Sequence, residues 1–242
     1  MSKPENLEFL LSAYPSQKGN KELNAELYNE LRERFFKSKE PDIKDCAYKA
    51  YLDLSRTLSG IGKNMPEDDK RVYHNDIYEL IENSIQELLD NETVTINSFD
   101  EWHKSTCEKM CQTSERLSIY LNNEKKFSYG QAQKWLNMTL KYMLVAEQWE
   151  KLDVMRSYLH VPVDSYIMEN ACLDLGVMII DGRSGELKPY SDYSKPWSTW
   201  EYEEYIEFQE RIRESLAETK DYECSMDWEF DSWIRIKEQR GM

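Results

Sequence analysis

Residues 125–146 read KKFSYGQAQKWLNMTLKYMLVA, with four lysines and no carboxylate, in a chain of 242 residues whose net charge is −15. Leu136, Leu140, Met143 and Leu144 recur here at steps of three and four, the spacing of a helix face turned to a core. The stretch predicts a central buried helix over residues 128–149, and the same period repeats on both sides of it. Leu23, Leu27, Leu31 and Phe35 mark a helix over 20–37. Pro41 opens another through Ala47, Tyr51, Leu54 and Leu58, which Ser59, Gly60 and Gly62 stop. Ile77, Leu80, Ile81, Ile85, Leu88 and Leu89 predict a long helix over 67–90, with Asp68 and Asp69 near its positive end. Ser98 followed by Glu101 is a capping-box pattern that starts a run through Trp102 and Leu117 to Leu121.

Downstream, residues 163–175 predict a helix that Gly176 terminates. VMII at 177–180 and DGRSG at 181–185 break the period and suit a short strand pair near 177–190. Ser198 with Glu201 predicts the start of a helix through Trp200, Tyr205, Phe208 and Ile212, and 227–239 the last one. The expected architecture is all-α, a multi-helix bundle of about eight helices in a single domain over 1–242. Within it, 1–60 form an N-terminal helical pair, 66–176 a central core, and 177–242 an irregular segment plus a C-terminal helical pair.

The composition agrees: 40% hydrophobic and 12% aromatic residues suffice for a core, while 8 glycines and 7 prolines are few for a turn-rich β fold. No apolar run is long enough to span a membrane, and the start MSKPENLEFLLSAYP lacks a secretory layout, so a cytoplasmic protein with no membrane partner is expected. Five scattered cysteines are expected to be reduced thiols. With 31 basic against 46 acidic residues the chain is excluded from indiscriminate nucleic-acid binding, so any phosphate contact has to be local. The oligomeric state is left open.

Two elements carry candidate chemistry. In FSYGQAQKW, Gly130 precedes Gln131, Gln133 and Lys134 at a helix start, where free N–H groups and the helix dipole suit a phosphate, with Lys125 and Lys126 just upstream. Its plainer reading is a turn glycine with a solvated lysine face. In VPVDSYI, Asp164 stands at the start of the next helix. It either caps that helix or presents a carboxylate to a cleft, where it would activate water or stabilise a cation. His103, Cys107 and Cys111 stand four apart, but helix rise separates the outer two by about 12 Å, too far to share a zinc ion. The cysteines read as buried thiols. No metal or cofactor is implied, and the phosphate-loop, nucleophile-elbow and zinc-protease motifs are absent.

In this order, the two elements resemble the helix-hairpin-helix DNA glycosylases of base-excision repair, the 8-oxoguanine glycosylase-like family, over about residues 127–171. The resemblance implies that Gly130 with Gln131, Gln133 and Lys134 forms the hairpin and helix that hold DNA with Lys125 and Lys126. It also implies that Asp164 is the catalytic aspartate of a DNA N-glycosylase that flips its base. The family's hairpin has two glycines where this chain has Gly130 alone, and the Schiff-base lysine of its bifunctional members falls at Ala132, so the resemblance does not assign that role to Lys134. Trp135 and Trp149 suit stacking on a base or the core. The resulting expectation is a glycosylase-like, nucleic-acid-associated protein, with its chemistry intact or lost. The alternative is a non-enzymatic acidic helical interaction protein, of phage or defence type, that binds a basic protein surface or imitates DNA.

Overall fold

The computed structural model describes residues 4–14, 24–58, 61–122, 126–180, 186–192 and 195–240. Lys125, the Ser59-Gly60 stop and the DGRSG turn lie outside the described residues. The helices are α1 (Pro4–Ala13), α2 (Ala25–Phe36), α3 (Ile43–Leu54), the single turn α4 (Ile61–Asn64), α5 (Glu67–Asp90), α6 (Ile96–Thr113), α7 (Tyr129–Ala146), α8 (Glu150–Val154), α9 (Ser165–Leu175), α10 (Tyr202–Thr219) and α11 (Ser225–Arg240). Between α9 and α10, β1 (Met178–Ile180) pairs antiparallel with β2 (Leu187–Pro189) in the register Ile179 to Lys188. The protein is therefore an all-α multi-helix bundle with one short strand pair. No described helix is long and apolar enough to cross a membrane.

α7 is the axis of the bundle. It packs against α3 and α6, with α1 and α10 closing the remaining sides, and every one of its residues except Lys134 is buried. A helix surrounded in this way must be apolar or internally satisfied all round, which explains why it carries no carboxylate. The acid-free stretch is thus primarily the signature of a core helix. Trp135 is fully buried and donates its indole N–H to the Ala47 carbonyl at 2.9 Å, so it serves the core, while Trp149 packs at its edge.

Several boundaries differ from the sequence expectation. α6 starts at Ile96, because Thr95 and Ser98 form the capping box themselves: the Ser98 amide donates to Thr95 Oγ1 at 3.2 Å and the Thr95 amide to Ser98 Oγ at 2.9 Å. That helix stops at Thr113 rather than reaching Leu121. α10 does not start at Ser198; its first amide is met by Glu204, which accepts from the Glu201 N–H at 2.7 Å. The reason is tertiary. The carbonyls of Ser198 and Trp200, which a helix starting there would use internally, accept instead from Ser128 Oγ at 2.5 Å and the Gly130 N–H at 2.9 Å. Periodicity also passed over α1, α4 and α8, raising the count from about eight. The central helix, expected over 128–149, ends at Ala146, because Glu147 takes the left-handed conformation at φ 54° and caps α7.

Candidate functional site

Asp164 ends the loop that enters α9, and that loop is buried: Val161 and Val163 are both 0% exposed. A buried loop must find partners for its backbone polar groups. Here side-chain amides supply them. Gln209 accepts from the Val161 N–H at 3.0 Å and donates back to its carbonyl at 2.8 Å. Gln133 holds Val163 in the same two-point way, at 3.2 and 3.1 Å. Asn137 joins the two clamps by donating to Gln133 Oε1 at 3.1 Å and to the Val161 carbonyl at 3.3 Å. Gln133 is therefore a scaffold residue whose amide is spent on positioning Asp164.

Held in this way, Asp164 Oδ1 accepts the Tyr166 and Ile167 amides at 3.0 Å each and caps α9, while Oδ2 lies 2.7 Å from Lys134 Nζ. Burial pushes the Asp164 carboxyl up, but the Lys134 charge and hydrogen bond and the two cap amides outweigh it, leaving it below the usual carboxylate range. It is anionic at neutral pH. The capping reading of Asp164 is thus met through Oδ1, while Oδ2 is engaged by Lys134.

Lys134 and Asp164 line one cavity of about 560 Å³, a size suited to a small organic group. Phe35, Tyr142, Trp197 and Trp233 supply aromatic walls, and Lys49, Asp53 and Arg56 add charge at the end of α3. Sequence reasoning singled out none of these last three, because they follow one another at about one helical turn along α3 and the turn after it, where the apolar face alone was legible.

The other expected phosphate-binding residues lie elsewhere. Gly130 is closed off: its N–H is taken by Trp200, and a Cβ there would fall well inside van der Waals contact of the Trp197 carbonyl oxygen. Gln131 completes the α7 capping box with Ser128, accepting from the Ser128 N–H at 3.2 Å. Lys126 is exposed and lines a second, larger cavity of about 710 Å³ between α6 and the start of α7. In that cavity Glu108, Glu201 and Glu203 outnumber Lys104 and Lys126, and Lys104 sits over the Tyr202 ring at 4.1 Å, so it is a poor host for an anion. Among the described residues of the expected set, the fold joins Lys134 to Asp164 in one cavity, and Lys126 and Gln131 line the other.

Behind the Asp164 loop runs a buried polar chain invisible to periodicity. His160 Nε2 lies 2.7 Å from Asp100 Oδ1 and its Nδ1 2.6 Å from Tyr205 Oη, while Arg213 clamps Asp100 at 2.9 and 2.8 Å. His103 joins through Asn137 Oδ1 at 2.9 Å, and Cys107 is a buried thiol beside it. The described residues contain no cluster of three or more His, Cys, Asp or Glu arranged to hold a metal ion.

Burial and the Arg213 charge push His160 down to about 4, against the opposing pull of Asp100. A histidine folded in the neutral state contributes stability that is present above its unfolded value of about 6.5 and is lost as pH falls towards the folded one. His160 by itself is expected to make the protein about 2 kcal/mol less stable to urea at pH 5 than at pH 7.5; His103, which burial also pushes well below its ordinary value, adds to the loss, and the difference should shrink in His160→Gln. Equal midpoints for the wild type at both pH values would contradict the neutral, buried assignment.

No protein-family model matches this chain, and no curated protein or solved structure matches it. The functional reading consequently rests on the site itself.

Proposed function

We propose that this protein is a helix-hairpin-helix DNA glycosylase-like protein in which Lys134 and Asp164 are the working pair. The observation that carries the reading is the 2.7 Å contact of Lys134 Nζ with Asp164 Oδ2 inside a cavity of about 560 Å³. A nucleotide flipped into that cavity meets aromatic walls and an anionic carboxylate suited to stabilise the sugar cation formed as the base departs. The resemblance gave Lys134 a part in holding DNA and not the Schiff-base role; its place beside Asp164 in the cavity supports the nucleophile's part instead. The Lys134 ammonium first gives a proton to Asp164 Oδ2; the freed Nζ electron pair then bonds to C1′ while the C1′–base bond breaks, the electron pair of that bond leaves on the base, and Asp164 passes the proton on to the base. Gly130 plays no part in this, because its amide is already used.

The test is borohydride trapping and base release on single-stranded and duplex oligonucleotides carrying uracil, hypoxanthine, 8-oxoguanine or an abasic site, at low and moderate salt. Wild type is expected to give a covalent adduct, Lys134→Gln none, and Asp164→Asn a base-release rate lower by about 10²–10³. If the wild type neither releases a base nor forms an adduct with any substrate, the catalytic reading fails. A second reading, an acidic protein that binds a basic partner, is favoured by the net charge of −15 together with the closed Gly130 turn. Partner binding that persists in Lys134→Gln while every oligonucleotide is ignored would select it.

A further inference from the structure

With the Gly130 amide occupied, a strand entering the cavity needs another hold on its phosphates. The lining contains three cations and two carboxylates. Lys134 and Asp164 neutralise one another, and Asp53 accepts the hydroxyl of Tyr142 while its charge acts on Lys49. Lys49 and Arg56 remain, one cation in excess of that carboxylate. Among the described residues neither has an ion pair: the Lys49 ammonium rests 4.1 Å over the Phe35 ring, and Arg56 is exposed at the cavity rim. They are seven residues apart, two turns along the α3 axis and the turn that continues it, which places them on one side. The ring supports Lys49 only through its quadrupole.

We infer that Lys49 and Arg56 form a phosphodiester clamp at the edge of this cavity, taking over the hold on the nucleic-acid backbone that a hairpin amide would otherwise supply. The inference rests on the proposed function of the same cavity and names the residues that bind its substrate. A local clamp of this kind reconciles backbone binding with the overall charge: the cations face inward along one rim while the acidic surface elsewhere repels a strand laid across it. Burial pushes the Lys49 ammonium below its ordinary value and the Asp53 charge offsets this only in part, so an approaching phosphate would add to the compensation.

The experiment is the affinity of a labelled oligonucleotide carrying a tetrahydrofuran abasic analogue, measured from 20 to 300 mM salt, roughly the range in which counterion release is read out. Each lost phosphate contact lowers the slope of log K against log salt by about 0.7–0.9. Lys49→Gln/Arg56→Ala is therefore expected to flatten the slope by about 1.5 and to weaken binding about tenfold at 100 mM. Lys49→Arg/Arg56→Lys should restore both. Arg56→Glu, at an exposed position, serves as a variant that must fold, and should also bind more weakly with a shallower slope. Binding by these variants with the wild-type affinity and slope overturns the clamp, even if the wild type releases bases. A slope carried by Lys49 and Arg56 without base release on any substrate sustains the clamp and removes the catalytic reading. Absence of any oligonucleotide binding by the wild type overturns both.

Discussion

Lys141→Met is expected to cost about 3–5 kcal/mol of unfolding free energy, the largest effect of any single substitution considered for this protein. Lys141 is a charge inside the core helix. Its Nζ lies 2.8 and 2.6 Å from the two carboxylate oxygens of Glu229, with side chains 0% and 1% exposed. Around the ammonium stand the rings of Phe9, Phe230 and Trp233 at 4.9, 4.7 and 5.3 Å. Burial pushes Lys141 down and the Glu229 charge and hydrogen bond oppose it. Removing the lysine leaves a carboxylate without its counter-charge, which must either remain buried at high cost or take up a proton. The double variant Lys141→Met/Glu229→Leu keeps the volume and removes both charges, and is expected to lie near the wild type or above it. Urea unfolding of the two singles and the double decides the matter; a double as unstable as the sum of the singles would show that the pair is not the cause. The pair has a consequence for the cavity, because it ties α7 to α11, and α11 contributes Trp233 and Ile236 to the cavity wall.

The second large effect is at Gly130. In an ordinary helix, Gly→Ala stabilises by about 0.5–1 kcal/mol, because alanine has less chain entropy to lose. Here the sign is expected to reverse, with Gly130→Ala about 2 kcal/mol less stable than the wild type, the scale of an overpacked core. The added Cβ would meet the Trp197 carbonyl oxygen inside contact distance, with the Trp197 and Ser198 carbonyl carbons at 3.1 and 3.2 Å. These are backbone atoms, which cannot rotate aside as the end of a flexible side chain does. The segment they belong to is also tied to the Gly130 N–H through Trp200 and to Ser128 through Ser198. Thermal or urea unfolding gives the sign directly. A more stable alanine variant would mean that α7 and the Trp197–Thr199 turn are not packed this closely.

The helical character of the chain was open to reading because it is written in local repeats. The positions of Ile77, Ile81, Ile85 and Leu88 alone placed a helix over 67–90, and α5 spans Glu67–Asp90. Local chemistry also marked Asp164 as a cap and Gly176, at φ 64°, as a helix end. The start of α10 was misread because the competing partners of Ser198 and Trp200 lie some 70 residues upstream in the chain, in a segment that no short window joins to them. The role of Gln133 was misread for the same reason: its partner, Val163, belongs to a loop 30 residues away.

From its sequence alone, the protein is determined to be a bundle of helices around an acid-free central one, since hydrophobic period, caps and breakers act within a few residues of one another. The candidate site is of the other kind. The pairing of Lys134 with Asp164, the placement of Lys49 and Arg56 at the same cavity, the closing of the Gly130 turn and the burial of Lys141 against Glu229 depend on which side chains from distant segments share one space. Only the packing of α3, α9 and α11 against α7 decides that, because charge pairing and desolvation are set by distances across the folded chain rather than along it.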